Sequence, residues 1–183
     1  MNRFWKNVSV LLGLILAILI AAAWYMGCMG TYEVEVRSMG PYNFVYEEYT
    51  GPYTQSGPVF TRVYDSLLED GIGTNVGMGL YYDNPDEVAQ DELYSELGSV
   101  IDDIQATVLP EGYNSKVIDS TEYAVVKFPY KNMLSYMIGP IMVYPVLNEY
   151  FGNEENGAEY AIELYTQDAI YYMIEVADRK SVV

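Results

Sequence analysis

Histidine is absent from the 183-residue chain and cysteine occurs once, at Cys28. Without imidazole a Ser-His-Asp relay has no base, and His-bearing zinc or haem sites lose their ligand. A single thiol makes neither an intrachain disulfide nor a four-thiolate cage, so no metal and no cofactor is expected. Positive charge is scarce as well: 9 basic residues stand against 26 acidic ones, for a net charge of -17. Arg3 and Lys6 are the only charges before residue 30, which leaves the remainder with 7 basic and 26 acidic side chains, a balance of -19. Such a surface repels phosphate backbones, and nucleic acid is not expected as a partner.

Charge is missing altogether from Val10 to Met26, and the apolar run Leu11 to Ala23 is interrupted only by Gly13. Residues 8–29 approach the ~20 positions needed to cross a bilayer. Arg3 and Lys6 in front, with Trp5, Trp24 and Tyr25 near the two ends, supply the basic flank and aromatic belt of a single-pass span. The same pattern fits a secretory signal, whose basic n-region precedes an apolar stretch ending in small residues. Tyr25 and Met26 before Gly27 make a poor lipobox, so Cys28 reads as a residue at the membrane edge. The charge bias, carried by two residues, keeps the N-terminus inside and puts the rest on the extracytoplasmic side. The chain therefore divides into an anchor or uncleaved signal, residues 1–30, and one domain, residues 31–183, long enough for a core of its own.

Within the domain, Tyr32, Val34 and Val36 alternate with Glu33, Glu35 and Arg37, the period of a strand with one buried face. A second strand runs through Asn43 to Tyr49, and Thr50-Gly51-Pro52-Tyr53 breaks it. Ser56 and Pro58 open a helix whose Phe60, Val63, Tyr64, Leu67 and Leu68 share one side, and Gly71 ends it. Strands follow at Val76 to Tyr82 and, after a polar loop, at Leu93 to Ile101. The plan then repeats beyond Pro110 and Gly112: a strand at Glu122 to Phe128, a helix from Met133 to Phe151 closed by Gly152, and strands at Glu159 to Tyr165 and Ile170 to Val176. Strand, helix, strand, strand, given twice, defines an α+β domain. The stretch from Met133 to Val146 is apolar enough to suggest a membrane segment, but it is too short to span and carries Pro140 and Pro145. It reads as a kinked helix covering the sheet, with contact to the lipid surface as the alternative.

Four motifs in this order carry a resemblance: Tyr49-Thr50-Gly51-Pro52-Tyr53, Gly79-Leu80-Tyr81-Tyr82-Asp83-Asn84-Pro85, Glu96-Leu97-Gly98 and Ile162-Glu163-Leu164-Tyr165. Together they resemble the GyrI-like small-molecule-binding domain, also found as the effector-binding domain of AraC-type regulators, over roughly residues 32–176. The resemblance implies a pseudo-twofold antiparallel sheet with helices on one face and a cleft between the halves for flat or greasy, often cationic, molecules. Some similar domains hydrolyse strained cyclopropane-bearing toxins in that cleft with a glutamate and aromatic side chains. The second half departs from the pattern, with Lys127-Phe128-Pro129-Tyr130 where the glycine of the repeated turn usually stands.

Strand alternation puts Glu163 and Tyr165 on one face, with Tyr160, Ile162 and Leu164 on the other. With the apolar set under the helices, Glu163 and Tyr165 face the open side, and Glu163 matches the pocket glutamate of the resembled family. A carboxylate among rings loses hydration, which raises its pKa and suits it to hold a cation or a proton. The competing reading is one more acid on a wet strand. Gly77, Gly79 and Tyr81 offer a matching wall, with room for a flat ligand beside a ring, or simply a bend. Tyr46 and Tyr49 line the same opening or pack in the core or at the edge, and Tyr130 carries over as the partner of Tyr53. Gly71-Ile72-Gly73 lacks the spacing and following helix of a dinucleotide loop, and the acids from Asp83 to Glu87 lack that of a calcium loop. Three functions stay open: a membrane-tethered receptor for a small amphipathic or cationic molecule, a hydrolase using Glu163 as its catalytic group, and an acidic platform for a basic protein at the membrane.

Overall fold

The computed structural model describes residues 3–105, 107–152 and 158–176. Its first element, α1 (Arg3–Tyr25), is the apolar run as a 23-residue helix, about 35 Å long from its rise per residue. None of its apolar length is covered by the remaining structure. A single N-terminal helix of this kind fits a membrane span or a signal sequence equally.

Beyond it the first half comprises β1 (Glu35–Met39), β2 (Tyr42–Thr50), α2 (Gly57–Glu69), β3 (Val76–Tyr81) and β4 (Tyr94–Ile101). The second comprises β5 (Asn114–Ile118), β6 (Thr121–Pro129), α3 (Ser135–Phe151), β7 (Ala161–Tyr165) and β8 (Ala169–Glu175). All eight strands form one sheet in the order β1-β6-β8-β7-β3-β4-β2-β5, with antiparallel pairs throughout. Exchanging each strand for its counterpart in the other half turns this order into its own reverse, so a pseudo-twofold axis passes between β3 and β7. The α+β class and the doubled plan follow the sequence reading, with β1 leading the first half as read and β5, which was not read, leading the second. β1 leads the first half but pairs with β6 of the second, and β5 leads the second but pairs with β2 of the first.

Two local expectations are corrected. The strand read from Tyr32 begins only at Glu35; Tyr32 and Val34 pack instead against the cluster around Phe128 and Ile170. β5 had no sequence signature, because only Ile118 of its five residues is buried and the strand exists by pairing with β2.

α2 buries Val59, Val63 and Leu67, one line at four-residue spacing. α3 buries Ser135, Gly139, Val143 and Leu147 in the same way, runs through Pro140 and Pro145, and ends on Gly152 at a φ of 74°. α2 rests mainly on β2 and β4, and α3 mainly on β6 and β8, so the central pair β3–β7 runs along the valley between them. The face away from the helices is not open. The sheet curls enough for Ile118 of β5 to share a core with Tyr123 of β6 and Met173 of β8, around Phe44, Met78, Leu80, Ile162 and Leu164. Each fully buried side chain of this size contributes roughly 1.5–3 kcal/mol.

Candidate functional site

The curl inverts the expected faces of β7. Ile162 and Leu164 pack into the helix-free core, whereas Glu163 and Tyr165 point into the valley between α2 and α3. The apolar set had a core on either face to join, and it joins the one away from the helices. Gly79 faces Glu163 in register and Gly77 faces Tyr165, so Tyr81 and Tyr165 each stand two residues beyond a facing pair.

Glu163 is buried, 6 % exposed, and its two oxygens are satisfied separately. Tyr144 of α3 donates to Oε1 at 2.9 Å, and Tyr165 donates to Oε2 at 2.7 Å. The hydroxyls of Tyr165 and Tyr81 lie 2.8 Å apart. Since Tyr165 spends its one proton on the carboxylate, Tyr81 is the donor in that pair. Burial pushes Glu163 up to about 7, against the two phenol bonds that pull it down. Burial and the neighbouring carboxylate also hold the Tyr81, Tyr144 and Tyr165 phenols well above their usual range, so they remain protonated donors. Among the described residues no basic side chain pairs with Glu163.

Rings extend outward from this centre. Phe60 of α2 and Tyr136 of α3 meet Tyr165 edge-on at 5.2 and 5.6 Å. Tyr130 lies 5.2 Å from Tyr136, and Tyr53 meets Tyr81 at 4.9 Å. The phenol of Tyr53 shares its one proton between the carbonyls of Asp83 and Tyr94, at 3.1 and 3.0 Å, and accepts from the Asp83 amide, which fixes that ring at the head of the polar loop. Tyr172, the β8 neighbour of Glu163, stacks edge-on with Tyr144 at 5.7 Å, and its buried hydroxyl has no hydrogen-bond partner.

Of the candidates read from sequence, Glu163, Tyr165 and Tyr81 come together directly, and Tyr130 joins through Tyr136. Tyr46 does not. It lies on the opposite face, stacked on Phe44 at 5.0 Å in the helix-free core. Tyr49 stays at the turn, its hydroxyl 3.4 Å from the Pro52 carbonyl and close against Gly51. The room expected over Gly77 and Gly79 is taken by rings: an added Cβ at Gly79 would lie 2.9 Å from Tyr81, and one at Gly77 would lie 3.5 Å from Tyr165. Tyr144, Tyr136, Phe60 and Tyr172 were not anticipated. A usable signal existed for two of them, since Tyr136 and Tyr144 are eight residues apart and fall on one flank of α3.

On the other side of the sheet the same chemistry is complete. Lys116 pairs with the buried Glu96, and its ammonium lies 5.1, 5.9 and 5.7 Å from the ring centres of Tyr46, Tyr82 and Tyr160. Tyr82 donates to the same Glu96 oxygen at 2.9 Å. A hollow of about 260 Å³ on this side is lined by Glu35, Arg37, Lys127 and Tyr171 among others, and shares no residue with the Glu163 cluster.

The class is an α+β domain built on a duplicated antiparallel sheet, with a buried acid among tyrosines at its axis. The chain belongs to the family described as the GyrI-like small molecule binding domain, whose pattern matches residues 32–169. It is similar to human testis-expressed protein 264, 27% identical over 175 residues covering 90% of this chain and 54% of that protein. It is similar also to the mouse homolog, 25% identical over 186 residues covering 92% and 59%. The chain thus spans little more than half the length of these curated relatives. Among solved structures, the crystal structure of the EcmrR C-terminal domain covers 80% of this chain with 98% of its own, at a TM-score of 0.59 and 14% identity. An integron cassette protein from the mobile metagenome of Vibrio cholerae covers 80% with 99% of its own, at 0.51 and 12%. At these identities the two structures establish the fold alone.

Proposed function

We propose that this is a membrane-anchored binding protein that takes up an amphipathic cation, aromatic in character, in the valley between α2 and α3. The observation that carries the reading is Glu163: a buried carboxyl held only by two phenols, with no basic partner among the described residues. The Lys116–Glu96 cage supports the reading by analogy, an ammonium held by one acid and three tyrosines. A bound cation would replace the missing counter-charge at Glu163, and rings facing it add on the order of 1 kcal/mol each, more when dry. Entry requires Tyr136, Tyr81 or Phe60 to swing aside, because rings occupy the valley in this structure. α1 as an anchor keeps the site beside a lipid phase in which such molecules concentrate.

Titration of the full chain in detergent with tetraphenylphosphonium tests this. Saturable binding is expected, weakened roughly tenfold, or about 1.4 kcal/mol, by Glu163→Gln. Equal affinity in the two proteins would sink the reading. A second reading, hydrolysis of a strained electrophile, draws support from a carboxyl poised near neutrality on the continuous Glu163–Tyr165–Tyr81 chain. Consumption of a cyclopropane-bearing alkylator, lost in the same variant, would favour it over simple binding.

A further inference from the structure

α2 and α3 occupy corresponding places, yet they face outward with opposite chemistry. α2 exposes Thr61, Arg62, Asp65 and Glu69 interspersed with Tyr64 at 43% and Leu68 at 57%, so charge breaks up its outward apolar residues. α3 buries Ser135, Gly139, Val143 and Leu147 and exposes, on the reverse side, Met137 at 64% and Ile141 at 72%, with Met133 at 78% and Leu134 at 54% just before it. Met133, Met137 and Ile141 recur every fourth residue and form one stripe. No charge occurs from Met133 to Leu147, in a chain with a net charge of -17. An uncharged apolar face of this kind on an acidic protein marks a place that water does not normally cover.

The position of the stripe identifies what covers it. Met26, immediately after α1, is buried, and its sulfur receives the Asn132 amide at 3.4 Å. The ammonium of Lys131 lies 5.6 Å from the ring centre of Tyr25, the last residue of α1. Gly27 accepts a hydrogen bond from Tyr32, whose ring packs on Phe128 at 5.3 Å. The end of the anchor is therefore fastened to the residues that lead directly into α3, and Met133 follows Asn132 in the chain. Arg62, Asp65 and Glu69 leave the matching face of α2 wet, so the asymmetry tracks the attachment point of α1.

We infer that the outward stripe of α3 lies in the lipid interface, and that the domain rests on its membrane through Met133, Met137 and Ile141 as well as hanging from α1. This rests on α1 being a membrane anchor. The acyl-chain boundary of a bilayer is the occupant: the stripe carries no charge to pair with a protein partner, and the single cation at its start, Lys131, sits where a headgroup layer begins.

The test uses the full chain with Cys28→Ser, reconstituted in phosphatidylcholine vesicles containing a spin-labelled lipid quencher. A fluorophore is attached singly through Met137→Cys or Ile141→Cys on α3, Leu68→Cys on α2, or Ile18→Cys on α1. Quenching at both α3 positions several-fold above that at Leu68 is expected. Quenching at α3 no greater than at Leu68, with Ile18 fully quenched, overturns the inference and leaves the anchor standing. An unquenched Ile18 removes the anchor itself and the inference with it. Cross-linking of Ile141→Cys between two chains without quenching would instead assign the stripe to a second copy and overturn the lipid contact. Circular dichroism of each variant confirms the fold before the comparison.

Discussion

Glu163 is subject to opposing pulls: burial penalises its charge, and two phenols reward it, with burial ahead. With a folded-state pKa near 7 against an ordinary 4.5, the folded protein holds the proton more tightly than the unfolded chain. The corresponding stability is therefore fully present below pH 4.5 and is lost as pH rises to about 7, where it levels off. The span corresponds to about 3 kcal/mol. Glu163→Gln should remove this slope, as read by urea unfolding of wild type and variant across that window; parallel curves would contradict it. Cation binding runs the other way and should strengthen as pH rises through 7, since it needs the ionised acid. At this scale the sequence was informative about identity and poor about surroundings. Glu163, Tyr165 and Tyr81 were readable because strand alternation grouped Glu163 with Tyr165 and Tyr81 with Gly77 and Gly79, and the resemblance pointed to Glu163. For Tyr46 the core alternative holds, and alternation could not choose it because it says which residues share a face but not which face the helices cover.

Helix α2 meets the sheet through Val59, Val63 and Leu67, whereas α3 approaches it over Gly139. An added Cβ there would lie 2.1 Å from the Tyr172 hydroxyl and 3.4 Å from Phe128. Gly139→Ala should therefore lift α3 and cost roughly 1–3 kcal/mol. Tyr172→Phe alone, which removes a buried hydroxyl without a partner, should be neutral or stabilising and should restore much of the loss when combined with Gly139→Ala. Thermal unfolding of the two singles and the double decides it; additive losses would refute the contact. Strands with a buried face, such as β2 and β3, and the helix ended by Gly152, were legible from periodicity. β5 was not, since Asn114-Ser115-Lys116-Val117 offers no alternation and its strand character comes from β2 across a long sequence separation.

The whole domain is held together by exchange: the leading strand of each half completes the sheet of the other. Neither half has a closed edge without its partner, and β3 and β7 would each expose an unpaired side. Residues 31–106 and 107–183 produced separately should each fail to fold, and production together should recover the native circular dichroism and proton-exchange protection. A folded isolated half would refute this. The doubling of the scaffold was visible in the order of elements, whereas the exchange was not, because it depends on which edges meet in space.

Trp5 and Trp24 both lie in α1, so the twenty tyrosines of the chain share it with no indole outside that helix. Light absorbed selectively by indole therefore reports only on α1 and its surroundings, while phenol emission comes chiefly from the sheet and its valley. The molecule thus separates two optical signals by architecture, and occupancy of the valley can be followed apart from immersion of the helix.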